Sequence, residues 1–237
     1  MKPLFISIFA AAISLANAKA RPPLPESESR RAEKTAPAGN LQQALPILRE
    51  GDIIFIRFVH ALYRPIAETS GSWESHVGIL FRDSAGRWKV AQSTIPVSKY
   101  TSLETFVGRS QNGRFLVRRV RGGLSGEAVA RLHAAADRRM GMLYDTGFRY
   151  NSPRQFCSKF VYDSYLEATG HPVGRLETFR EMLAENPGAP VAFWRAWFFG
   201  RIPWDRLSVT TASQIQSPSL VTVFDSEKQS RERVAGL

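Results

Sequence analysis

The sequence predicts a mixed helix-and-strand protein with one modest core. Three observations lead there. Short apolar runs bounded by turn residues recur along the chain, and two of them are separated by a single tight turn. Two later segments carry helical spacing with recognisable start and stop residues. The chain has 237 residues with 43% hydrophobic side chains, enough for one well-buried domain and too apolar for wholesale disorder.

The elements follow in chain order. Lys2, the apolar run Leu4 to Leu15 and the small-residue triplet Ala16-Asn17-Ala18 have the order of a secretory signal peptide, residues 1–18. The run is shorter than the roughly 20 residues a membrane span needs. No cysteine follows it to carry a lipid. Residues 19–44 read as a flexible linker rich in Pro, Ser, Glu and Arg. Leu41 to Arg49 can form a short helix interrupted at Pro46, and the folded domain is expected over 45–226.

Gly51-Asp52 opens a buried strand, Ile53 to Ile56. Ser75 to Phe81 and Arg87 to Ser93 form a hairpin across Asp83-Ser84-Ala85-Gly86. Phe115 to Val120 is a further strand. Ser125 caps a helix closed by Gly141. Ser152, Pro153 and Gln155 have the chemistry of a second helix start, with Ser152 as N-cap, and that helix ends at Gly170. Leu207 to Thr211 and Leu220 to Phe224 are strand-like, and 227–237 is a polar tail.

Cys157 is the only cysteine, so no internal disulfide exists. It is either a buried inert thiol or a nucleophile. Its expected place one turn inside a capped helix favours the second, because backbone N–H groups and the dipole stabilise a thiolate. A nucleophilic cysteine needs a base. Of His60, His76, His133 and His171, His76 has the clearest geometry. It enters a strand whose other face, Val77 and Ile79, is apolar, and Gly78 leaves room beside the ring. A three-residue loop with Gly86 left-handed pairs position 76 with 94 and 78 with 92. Gln92 then shares the face of His76 and can fix its tautomer; a slip of one residue would present Ser93 instead.

Gly51-Asp52-Ile53-Ile54-Phe55, Ser75-His76-Val77-Gly78-Ile79 and Phe156-Cys157-Ser158-Lys159-Phe160-Val161 occur in this order. In this the chain resembles the permuted papain-like amidases of the NlpC superfamily, the YiiX/YebB-like proteins, over about residues 45–225. The resemblance implies an α+β, circularly permuted papain-like fold, with an antiparallel sheet packed against a helix bearing the cysteine. It implies Cys157 as nucleophile and His76 as base. Gln92 stands where relatives often carry glutamate. Tyr144-Asp145 resembles a family feature and is expected to shape the turn before the cysteine helix.

Other chemistries lack their motifs. There is no GxSxG elbow, P-loop or dinucleotide fingerprint, and four scattered histidines give no metal-ligand spacing. No cofactor is expected. The net charge of +11 suggests polyanions, and export directs that toward carboxylate-rich cell-wall peptides or an anionic membrane surface rather than nucleic acid. The expected activity is a periplasmic or secreted cysteine hydrolase of amide bonds, acting on cell-wall peptides (peptidoglycan fragments) or amino-acid amides. The alternatives are a lipid acyltransferase or hydrolase of the lecithin-retinol-acyltransferase-like type, and a non-catalytic binder that keeps the pocket. The aromatic segment Phe193 to Trp204 reads as a cover over the core, with an acyl-chain groove or interfacial segment as the other reading.

Overall fold

The architecture comes from a computed structural model, which describes residues 38–59 and 64–235. The expected signal peptide, residues 1–18, and His60 lie outside the described residues.

Eight strands are described. Six of them, β1 (Ile53–Phe58), β2 (His76–Arg82), β3 (Trp88–Gln92), β4 (Lys99–Ser102), β5 (Ser110–Val120) and β8 (Leu220–Asp225), form one antiparallel sheet in the order β4-β3-β2-β1-β5-β8. The remaining two, β6 (Leu176–Thr178) and β7 (Leu207–Val209), pair with each other.

Side-chain alternation gives the sheet two buried faces. The first carries Ile53, Phe55, Val77, Ile79 and Ala91. Against it pack helix α4 (Gly126–Asp137) and helix α5 (Cys157–Thr169). The second carries Ile54, Ile56, Leu80, Val90 and Val117. Helix α1 (Ala38–Ala44) covers it with Leu41 and Ala44, and helix α3 (Leu103–Gly108) with Leu103 and Phe106. Helix α2 (Arg64–Thr69) lies in the loop before β2.

A third, aromatic cluster is built around Phe148, Phe156, Phe179 and Trp194. It gathers helix α6 (Phe179–Glu185) and helix α7 (Val191–Trp197) beside the start of α5. Helix α8 (Thr211–Ile215) and helix α9 (Ser226–Ala235) complete the chain. Among the described residues no helix is long and apolar enough to cross a membrane.

The fold reaches beyond the expected 45–226 at both ends. Residues 38–44, read as linker, are helical because Leu41 and Ala44 have core to pack on. Residues 227–235, read as tail, are helical too. Asn40 Nδ2 donates to Ser226 O and to Ser230 Oγ, both at 3.1 Å, so the first and last described helices touch.

The hairpin register is the expected one. Ile79 faces Ala91 and Leu80 faces Val90, across a turn in which Gly86 has φ +75°. The Asp83 carboxylate fixes this turn by accepting from Ala85 N and Arg87 N, each at 2.9 Å. The space beside Gly78 is filled by the neighbouring strand. A Cβ there would lie 2.4 Å from Val90 Cγ1 and 2.9 Å from Ala91 O. Strand β3 could not keep its place. Gly78→Ala should therefore lower unfolding free energy by about 2 kcal/mol, the usual cost of forcing an atom into a packed core. Urea denaturation should show a lower midpoint at unchanged slope.

Candidate active site

Cys157 is the first residue of α5, not one turn inside it. Its N-cap is Phe156, and no side chain caps the helix. The expected capping box fails because Gln155 is held in extended backbone. Gln155 N donates to Leu143 O (3.0 Å) and its carbonyl accepts from Asp145 N (2.7 Å). Ser152 makes only a local turn, accepting from Arg154 N at 3.1 Å. The helix starts where this bridge ends. The thiol is thereby placed at the free N–H groups of the first turn.

The helix lies across β2. Tyr165, toward its far end, donates to Gly51 O. At its near end Cys157 packs against Val77 on the first face of the sheet. Around the thiol lie the N–H groups of Ser158 and Val77 and the hydroxyls of Tyr144 and Ser158. These favour a thiolate, but burial outweighs them and pushes the thiol up to about 11. The helix terminus alone would lower the thiol; desolvation reverses the direction.

His76 precedes Val77 and belongs to the second face. Its ring stacks on Phe58 with centroids 4.3 Å apart and meets Phe106 at 5.5 Å. The structure places Gln92 beside it, with Nε2···Oε1 at 2.6 Å. The amide of Gln92 is itself anchored, donating through Nε2 to Thr101 Oγ1 at 2.7 Å. An amide oxygen can only accept, so the ring carries its proton on Nε2. The lone pair is left on Nδ1, which is buried without a hydrogen-bond partner. Burial takes the imidazole down to about 4; the bond to Gln92 opposes this, and the Arg109 charge adds to it. Both groups therefore rest neutral at pH 7.

Thus His76 and Gln92 are joined directly, while Cys157 reaches the same strand one residue further along. No hydrogen bond links Cys157 to His76. The other described histidines lie apart: His133 pairs with Asp137 at 2.9 Å and packs on Phe81, and His171 is exposed behind the end of α5. Asp145 shapes its turn as expected, accepting from Gly147 N (2.8 Å) and Arg149 Nε (3.1 Å). Tyr144 does more than the sequence suggested, since its hydroxyl meets the thiol. Its position next to Asp145 and three residues before Gly147 is the one cue in the sequence.

A small cleft of about 50 Å³ opens at Cys157. Trp194 forms part of its wall and is also the centre of the aromatic cluster, donating through Nε1 to Thr69 Oγ1 at 2.6 Å. The aromatic segment is thus both core cover and cleft wall, and of its large apolar side chains only Phe199 and Trp204 are exposed.

A helix bearing cysteine laid on an antiparallel sheet bearing histidine defines a papain-like protein of permuted order. The family described as "Permuted papain-like amidase enzyme, YaeF/YiiX, C92 family" matches residues 47–224, and the chain belongs to it. It is similar to the uncharacterized protein YiiX of Escherichia coli K12, 31% identical over 173 residues that span 73% of this chain and 84% of the relative. The crystal structure titled metalloprotein yiiX from Escherichia coli O157:H7 superposes with a TM-score of 0.70 at 30% identity, covering 76% of this chain and 98% of that one.

Two pH effects follow from the buried pair. His76 binds a proton near pH 6.5 when unfolded and near 4 when folded, so the unfolded state holds more protons between these values. Stability should be complete above about pH 6.5 and fall by about 3 kcal/mol as pH drops to 4. Denaturant midpoints across this range should show the slope, and His76→Gln should flatten it. For the thiol, iodoacetamide labelling of Cys157 should be slow at pH 7 and rise toward pH 11.

Proposed function

We propose that this protein is an exported cysteine hydrolase that cleaves amide bonds through an acyl-enzyme on Cys157. The family supports the reaction class. The observation that carries the residue roles is the His76–Gln92 pair: a buried ring held through Nε2, with a bare Nδ1, one residue from the main chain that lies beside the thiol.

The steps use only these groups. His76 opens β2 on the face opposite Cys157, so this reading requires the thiol and Nδ1 to meet around the start of the strand rather than through the sheet. The thiol proton passes to Nδ1 as sulfur bonds to the carbonyl carbon. The oxyanion takes hydrogen bonds from the first N–H groups of α5 and the Tyr144 hydroxyl. The imidazolium returns the proton to the leaving amine and the C–N bond breaks. Water then gives its proton to Nδ1, adds to the thioester and expels Cys157 as the thiol. A neutral resting pair suits this sequence, since no thiolate waits in the cleft to be oxidised.

The solved relative's title calls it a metalloprotein. The groups around Cys157 here do not fit a metal: among the described residues no cluster of three or more His, Cys, Asp or Glu could hold one. Export rests on the signal-like residues 1–18. In that compartment amino-acid amides and cell-wall peptides are the available amide substrates.

The test is turnover of a panel of peptide and acyl amides. Cys157→Ser should abolish it, and His76→Ala should lower kcat by roughly 10²–10⁴-fold. Gln92→Glu places an anion on Nε2–H, favours the imidazolium and should move the acid limb of kcat/KM to higher pH. An acid limb that stays fixed in Gln92→Glu, or full activity in His76→Ala, would overturn the roles given to these residues.

A further inference from the structure

The segment between helix α7 and strand β7 presents a surface that the site at Cys157 does not use. Its inner side is fixed. Trp194 is buried, Phe198 stacks on it with ring centroids 5.8 Å apart, and Ile202 is buried in the same aromatic cluster. Backbone bonds close the turn around them. Gly200 N donates to Arg195 O at 2.7 Å, and Arg201 N to Phe198 O at 3.2 Å.

The side chains between these anchors are left outside. Phe199 is 74% exposed, the most of any large apolar side chain among the described residues, and Trp204 is 37% exposed. Phe199 also has φ +51°, a left-handed backbone that a bulky residue adopts only at a cost. The fold gains little packing from this strain, because the ring projects into water.

The charge around the ring has one sign. Residues 191–204 contain Arg195 and Arg201 and no Asp or Glu. Both arginines are exposed, and neither has an acidic partner among the described residues. The next acid along the chain, Asp205, is taken by Arg180 at 3.1 Å.

We propose that this turn docks the protein on an anionic lipid bilayer, with Phe199 and Trp204 entering the headgroup layer and Arg195 and Arg201 binding lipid phosphates. Aromatic rings settle at the level of the headgroups, and a guanidinium matches a phosphate. Two rings and two arginines make a poor protein interface, which needs roughly 800 Å² of complementary surface on each partner. A bilayer accepts single projecting side chains and supplies its own fit. The net charge of +11 draws the chain to the same surface from further away. None of the four side chains lines the cleft at Cys157, so the proposal stands apart from the hydrolase reading.

Cosedimentation of the full chain with vesicles tests it. Phosphatidylcholine vesicles containing phosphatidylglycerol should bind the wild-type protein, phosphatidylcholine alone should bind it far less, and salt should weaken the binding. Arg195→Ala and Arg201→Ala should each weaken it roughly 5-fold, and Phe199→Asn roughly 10-fold. Asparagine tolerates the left-handed backbone, so Phe199→Asn should melt no lower than wild type and leave the reactivity of Cys157 unchanged. Cys157→Ser should bind as wild type does. A second measurement reads contact directly. Lipids brominated in the upper acyl chain should quench a larger fraction of the tryptophan fluorescence in wild type than in Trp204→Phe.

Unchanged binding in Phe199→Asn and in both arginine variants would overturn the proposal and assign any attachment to other parts of the chain, the apolar residues 4–15 included. Equal binding to neutral and anionic vesicles, or equal quenching with and without Trp204, would overturn it too. A lipid-free dimer that Phe199→Asn breaks would put a second copy of the chain in place of the bilayer.

Discussion

The seating of one helix on one strand is the constraint from which the rest of the site follows. Helix α5 is held at its far part by Tyr165 on Gly51 O, and its first residue packs on the face of the sheet that carries Val77. Between those points Phe160 and Val161 are fully buried against the sheet. Strand β2 is in turn held by β1 on one side and β3 on the other, with Ile53 facing Ile79 and Ile79 facing Ala91. The thiol's position is therefore set by the sheet as much as by its own helix.

Desolvation then decides the chemical state of both groups. The helix start and the hydroxyl of Tyr144 pull the thiol toward ionisation, and enclosure pulls harder the other way. The histidine, under Phe58 and Phe106, is held neutral for the same reason. A charged acceptor opposite Nε2 would have favoured the imidazolium; the amide of Gln92 orients the ring without doing so. The amide of Gln92 thus sets the direction of the ring and carries no charge.

Local chemistry was legible in the sequence, and competition between distant segments was not. The Asp83–Gly86 turn sets the hairpin, so the register that pairs positions 78 and 92 can be read from those four residues. The start of α5 could not, because Ser152-Pro153-Arg154-Gln155 has real capping chemistry that the bridge to Leu143 and Asp145 overrides. Two further helix starts obey local rules that the sequence displays. Ser102 caps α3 through Thr105 N, with Leu103, Phe106 and Val107 on one side. Thr178 and Glu181 form a reciprocal capping box at α6. Face assignment had the same limit. Alternation along β2 was read correctly, but which face the cysteine helix would choose depends on contacts far apart in the chain.

The contact of Asn40 with Ser226 and Ser230 closes the chain on itself. With its two ends side by side, the domain has the connectivity of a ring opened at one point. Where a ring is opened leaves its interior pairings alone, because joining adjacent ends adds only a short loop. The order of histidine before cysteine along this chain is then a property of the opening. The site itself, built from a strand, its hairpin partner and a helix start, is indifferent to which of them the ribosome makes first.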